Sequence, residues 1–160
     1  MKTPSRKALK EELLAVLAQT LDTLEAAHAD ARAGATHEQA KPENDKDTRA
    51  LEQSYLARGQ AMRVEELTAS VVEVQNMPLR GFRDTDPVAL GALVTVHDGD
   101  EPRSFFMAPQ GEGSTLAGSR IQVVTPRSPV GRALLGKRVG DECALKVADK
   151  SRELEVVAIA

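Results

Sequence analysis

Three carboxylates, Glu43, Asp45 and Asp47, alternate in one short stretch, and Glu38 stands close by. Clustered carboxylate oxygens are hard ligands that can share a divalent cation such as Mg²⁺ without a preformed cage. The same residues have a plainer use: Asp45 or Asp47 can cap a following helix, and acidic groups suit the positive end of its dipole. Lys46 lies among them and weakens cation binding at close range. Other reactive groups are few. His28 falls on an apolar helical seam and reads as structural, and His37 reads as solvated. Cys143 is the single cysteine, which excludes an internal disulfide framework and a cysteine-based zinc site. It follows an acidic turn in a predicted strand and reads as a buried structural thiol.

The elements that must hold the carboxylates are helical. Residues 6–33 are rich in Ala, Leu, Glu and Lys, and Leu14, Leu17, Leu21, Leu24, His28 and Ala31 step by three and four along them. That is the spacing of a coiled-coil seam. A second run, from about residue 48 to 76, repeats the step at Ala57, Gln60 or Ala61, Val64, Leu67, Val71 and Val74 before Pro78 stops it. The polar segment 34–47, broken by Gly34 and Pro42, joins the two. Two helices of matched length with one polar connection make an antiparallel hairpin, here an arm of roughly 40 Å. The carboxylates fall at its tip. Large seam residues lie away from the tip, while near it the seam thins to Ala27, Ala31, Ala50 and Ala57.

Residues 78–160 have a different pattern. Strands are predicted at 93–97, 104–107, 120–124, 142–147 and 153–159, with a turn at Asp98-Gly99-Asp100 and one short helix at 128–135. The expected class is α+β: an N-terminal antiparallel coiled-coil hairpin over 1–77, followed by a small, mostly antiparallel sheet domain with one helix over 78–160. Ser128 can cap that helix with Pro129 at its first position, and Gly136 ends it.

The 160 residues carry 41% apolar side chains and a net charge of −3, and the acidic excess lies in 1–77. That balance argues against binding nucleic acid by bulk electrostatics. With no Trp, one Tyr and three Phe there is no platform for stacking bases. Nucleic acid should therefore be met mainly through a protein partner. No run of apolar residues reaches membrane-spanning length and no signal-peptide pattern opens the chain, so a cytoplasmic monomer without membrane contact is expected.

The segment Ser128-Pro129-Val130-Gly131-Arg132-Ala133-Leu134-Leu135-Gly136-Lys137-Arg138-Val139-Gly140-Asp141 closely resembles the "SPI(A/G)RALLGK-x-VGDE" string in the C-terminal domain of the bacterial GreA/GreB transcript cleavage factors. Arg63-Val64-Glu65-Glu66-Leu67 is similar to the family's "GRI-x-x-(I/L)E" region, and the resemblance fades along the first helix and at the tip. It implies a coiled-coil hairpin joined to an FKBP-like domain. That domain would dock on the rim of the secondary channel of RNA polymerase while the hairpin reaches towards the active site. It also implies a docking surface at Ser128 and Pro129, to which the flanking Arg127 and Arg132 could add ion pairs. The family's tip string "GD-L-x-E-N" supplies an Asp and a Glu that help hold a second Mg²⁺ in the polymerase's own active site. The protein would then stimulate the polymerase's nuclease rather than be an enzyme, and would bind no cofactor by itself. This chain departs from that string. Aligned from Arg63-Val64, the family's Asp falls on Glu43 and its Glu on Lys46; aligned from Glu43-Asn44, the Asp falls on Ala40. Glu43, Asp45 and Asp47 remain the candidates for catalysis and for the shared metal.

Other readings stay open. A Gre-like modulator could dock without cleaving and compete with cleavage factors, which Lys46 favours. A prolyl isomerase needs an aromatic-lined pocket, and this domain offers only Phe82, Phe105 and Phe106. A structural coiled-coil protein would fit 1–77 but leave 128–141 unexplained.

Overall fold

The computed structural model describes residues 2–39 and 44–160, and their side chains except at 31–32, 34–39, 44–50, 53 and 147. Two long helices open the chain, α1 (Arg6–Gln39) and α2 (Asn44–Gln75). Both run further than the sequence suggests at the ends that face each other along the chain. Between Arg6 and Gln39 only Gly34 disfavours a helix, at about 1 kcal/mol relative to Ala, and a helix this long absorbs that. On the far side, α2 begins at Asn44 rather than near residue 48, so Asp45 and Asp47 lie inside its first turn instead of capping it. Acidic residues are favoured there by the helix dipole. Glu43 lies outside the described residues. Glu38, His37, Ala31 and Ala50 have no described side chain.

The chain divides into two compact units: Val16–Val71, and Met1–Ala15 together with Val72–Ala160. In the first, the sequence seam holds where it is described. Leu17 and Ala57 are buried, and Leu21, Leu24, His28, Gln60, Ala61, Val64, Leu67 and Val71 are half-buried between exposed neighbours. His28 Nδ1 and Gln60 Oε1 sit buried on it.

In the second unit six strands follow: β1 (Leu93–Asp98), β2 (Glu101–Met107), β3 (Thr115–Leu116), β4 (Ile121–Val124), β5 (Glu142–Val147) and β6 (Lys150–Ile159), with α3 (Pro129–Leu134) between β4 and β5. They form one sheet in the order β3-β4-β2-β1-β6-β5. Every neighbouring pair is antiparallel except β2 and β4. The five expected strands are present, with β2 and β6 each starting three residues earlier than expected. The two-residue β3 is too short to leave a periodic signal.

Alternation along the strands explains the core. Val94, Val96, Phe105, Met107, Cys143, Leu145, Leu154 and Val156 share one buried cluster with Val88 and with Leu134 of α3. Phe106, the largest fully buried side chain, falls on the alternate position and so on the other face. The first turns of α1 belong to this unit. Leu9 and Leu13 are fully buried, Arg6 donates to the Gly91 carbonyl at 3.1 Å, and Lys10 donates to the Met77 carbonyl at 2.8 Å. The Glu12 carboxylate accepts the Ala117 amide at 3.0 Å.

Candidate functional site

The α3 corner is built around one hydroxyl. Ser128, in extended conformation with ψ 154, accepts the Gly131 amide on Oγ at 3.1 Å. The same oxygen accepts the Thr125 amide at 3.1 Å and donates to the Thr125 carbonyl at 2.9 Å. Ser128 and Thr125 are only 4% and 6% exposed. The hydroxyl is therefore used inside the protein, and the surface it shapes is made by its neighbours. Pro129, Arg127 and Arg132 are exposed. Arg132 Nε donates to the Arg127 carbonyl at 2.9 Å, which fixes the stem of its guanidinium across the corner.

The sequence reading passed over Gly131. A Cβ placed there would stand 1.7 Å from the Thr125 carbonyl oxygen and 2.8 Å from Ser128 Oγ. The first turn of α3 thus lies directly on the end of β4, closer than a Cβ at position 131 fits in this structure. A glycine in the first turn of a helix that already has a Ser-Pro start was the available signal, since it brings no propensity advantage.

The other end of α3 is held as firmly. Gly136, at φ +81, donates to the Val88 carbonyl at 2.9 Å, and Val88 returns a bond to the Lys137 carbonyl at 2.8 Å. Arg138 Nε donates to the Thr85 carbonyl at 3.0 Å. Asp141 closes the next turn by accepting the Arg138 amide at 2.9 Å. The string 128–141 thus folds as the short helix α3 followed by turns, hydrogen-bonded to the rest of the unit at both ends.

Beside it runs a groove of ≈ 440 Å³ lined by Pro129, Arg132 and Ala133 of α3 and by Ala144, Leu145 and Lys146 of β5. A second cavity, of ≈ 280 Å³, is lined by Arg103, Leu145, Lys150 and Arg152. Among the described residues no carboxylate lines either one. Asp98 Oδ2 bridges Arg103 and Arg152, 3.4 and 3.3 Å from their guanidinium nitrogens.

Cys143 is buried under β6, its Sγ 3.5 Å from the Leu154 carbonyl. Burial pushes its thiol up; Lys137 opposes this and Asp141 adds to it. The folded state thus holds the thiol proton more tightly than the unfolded chain, whose thiol titrates near about 8.5. Its contribution to stability is complete below that pH and is lost as pH rises through the higher folded value. Two results are expected: a falling unfolding midpoint above about pH 8.5, less marked in Cys143→Ala, and slow alkylation of the native protein at neutral pH against prompt alkylation in urea. Fast native alkylation would contradict the burial.

The corner, both cavities and all six strands lie within the part of the chain that a family model matches. The model described as "Transcription elongation factor, GreA/GreB, C-term" covers residues 83–160. Over a longer stretch, the transcription elongation factor GreA of Clostridium novyi is 30% identical, covering 73% of this chain and 70% of that one. The chain belongs to the GreA/GreB family. The GreA of Rhodospirillum rubrum is 31% identical over 69% of this chain and 66% of its own length. The chain thus spans about two-thirds of the length of these curated relatives. Among solved structures, Gfh1 of Thermus aquaticus is 27% identical and covers 91% of this chain and 92% of that one, with a TM-score of 0.41.

In this GreA/GreB-family chain the sequence-derived site residues fall in two places. Arg127, Ser128, Pro129 and Arg132 come together at the α3 corner. Asp45 and Asp47 belong to the first turn of α2, with Glu43 outside the described residues. Among the described residues no group of three His, Cys, Asp or Glu side chains is arranged to hold a metal ion. Likewise, no described helix is long and apolar enough to cross a membrane. The sequence reading also missed an exposed row on α2. Leu51, Tyr55 and Met62 are 54%, 59% and 57% exposed at helical spacing, with the Arg58 guanidinium 5.8 Å from the Tyr55 ring.

Proposed function

We propose that this protein binds RNA polymerase at the rim of its secondary channel through the α3 corner and inserts its helical hairpin towards the active site. There the carboxylates of Glu43, Asp45 and Asp47 meet the catalytic Mg²⁺ and stimulate the polymerase to cleave backtracked RNA. The observation that carries this reading is the corner itself. The string that most resembles the family folds into a clamped, exposed helix whose Gly131 and Ser128 serve only to present Pro129, Arg127 and Arg132. Two matched long helices, with carboxylates where one ends and the next begins, supply the inserting element. Carboxylates suit Mg²⁺, and an ion shared with the polymerase needs only a few ligands from the factor. The protein performs no reaction alone in this scheme, acts as a monomer, and meets nucleic acid through the polymerase.

Stalled elongation complexes test it. Added protein should shorten backtracked transcripts, and replacing Glu43, Asp45 and Asp47 together by Ala should abolish the shortening while leaving polymerase binding intact. Lys46, set among the carboxylates, supports the second reading: a factor that docks and alters pausing without cleavage. Binding with backtracked RNA left intact at high Mg²⁺ would establish that reading instead.

A further inference from the structure

A second stripe runs along α2. Leu51, Tyr55, Arg58, Met62, Glu65 and Ala69 are all exposed, and they step alternately by four and three. That step keeps residues on one face of a helix and is the period of a coiled-coil seam. The first stripe, from Ala57 to Val71, is buried or half-buried, whereas this one is open. Its three large apolar side chains, Leu51, Tyr55 and Met62, are each more than half exposed. Tyr, Met and Arg are among the residue types that protein interfaces gather.

The order of residues along the stripe matches its own reversal. A two-fold axis at Met62 sets an antiparallel copy so that Tyr55 comes level with Ala69 and Met62 with its counterpart. Arg58 then comes level with Glu65 of the copy to within one residue, about 1.5 Å of rise. A large ring thus meets a small side chain, the adaptable thioethers meet each other, and each cation meets a carboxylate on both sides of the axis. From Tyr55 to Ala69, α2 carries four charges: Arg58, Arg63, Glu65 and Glu66. Arg63 and Glu66 each follow a stripe residue by one position, turned about 100° from it. Both line a groove with Thr20 and Leu24 of α1. In the antiparallel copy Glu66 also comes level with Arg58, and Arg63 with uncharged Ala61. A parallel copy in register would set Arg58 against Arg58 and Glu65 against Glu65, and such like-charge pairs are costly. Charge therefore selects the antiparallel arrangement.

We infer that the occupant of this stripe is a second copy of the chain, paired antiparallel through α2 about Met62, and that this pair withholds the arm until polymerase takes a single chain. The pairing stands on the stripe alone. The withholding role rests on the reading that the hairpin inserts into polymerase.

Sedimentation equilibrium of the full chain from about 1 μM to about 1 mM tests the pairing. The expected mass rises with concentration from the 17.2 kDa of one chain towards twice that value. Arg58→Glu and Glu65→Arg, each altered at an exposed position, should keep the wild-type unfolding midpoint and pair at least tenfold more weakly. Mixing these two variants should restore pairing, since each supplies the charge the other lacks, and so should the double reversal Arg58→Glu/Glu65→Arg. A merely structural effect of either substitution is not repaired by mixing. A single-chain mass across the whole range overturns the inference, and if Arg58→Glu also loses polymerase binding, the stripe belongs to polymerase instead. Pairing that is indifferent to the single reversals, or a mixture that pairs no better than its parts, overturns the antiparallel arrangement. Excess core RNA polymerase should take up one chain per enzyme, and uptake of the intact pair overturns the withholding role. If no chain binds polymerase, the docking reading and the withholding role fall together, while the restored pairing of the mixture still upholds the pair.

Discussion

Gly131→Ala is expected to lower the unfolding midpoint by about 10 °C, because its Cβ would make the shortest contact of any glycine among the described residues. The added Cβ meets the Thr125 carbonyl oxygen at 1.7 Å and its carbon at 2.6 Å, both backbone atoms that cannot swing aside. Overpacking typically costs about 1–3 kcal/mol, and a clash that must displace a strand end belongs at or above the top of that range. Ser128→Ala should cost less, about 1–2 kcal/mol, because it removes a cap and leaves the Gly131 and Thr125 amides wanting an acceptor without forcing the backbone apart. Scanning calorimetry of the two variants separates the cases. A Gly131→Ala protein that melts with the wild type would show that α3 does not lie on β4 as described. The same variant should also lose polymerase binding, since the corner is what presents Pro129 and Arg132.

Leu13→Ala should destabilise the sheet unit by about 2–5 kcal/mol, although Leu13 lies in a long N-terminal helix. Leu13 is fully buried, and its Cδ1 would be 2.7 Å from a Cβ at Gly111, which holds φ +97. Leu51→Ala is the control. That side chain is 54% exposed on α2 and its loss should stay within about 0.5 kcal/mol. Amide exchange locates the effect: Leu13→Ala should speed the exchange of the central strands β1 and β2, and Leu51→Ala should not. Equal exchange in both variants would mean that the start of α1 is not part of the sheet's core.

The elements with a strong period or punctuation were legible in the sequence. Leu17, Leu24, Val64 and Leu67 marked the helix seam, alternation marked β1, β5 and the inner part of β6, and Ser128-Pro129 with Gly136 bounded α3. Three things left no such trace. Helix ends near residues 39 and 44 depend on the summed preference of polar residues, and there Gly34 reads as a stop although one glycine costs too little to end a helix. The packing of Leu9 and Leu13 with the sheet unit is a tertiary fact that helical spacing cannot assign. The place of β5 at a border of the sheet depends on strand order, which sets it at the opposite edge from β3. In the candidate site, Ser128 was found as a cap, but its burial required coordinates, and these leave the exposed Pro129, Arg127 and Arg132 as the candidates for docking.

Docking at the α3 corner is tested most directly by the equilibrium affinity of the full-length chain for immobilised core RNA polymerase. Saturable binding is the expected result, weakened at least tenfold by Arg132→Glu and unchanged by joint replacement of Glu43, Asp45 and Asp47 with Ala. No saturable binding, or binding indifferent to Arg132→Glu but lost with the tip carboxylates, would contradict it.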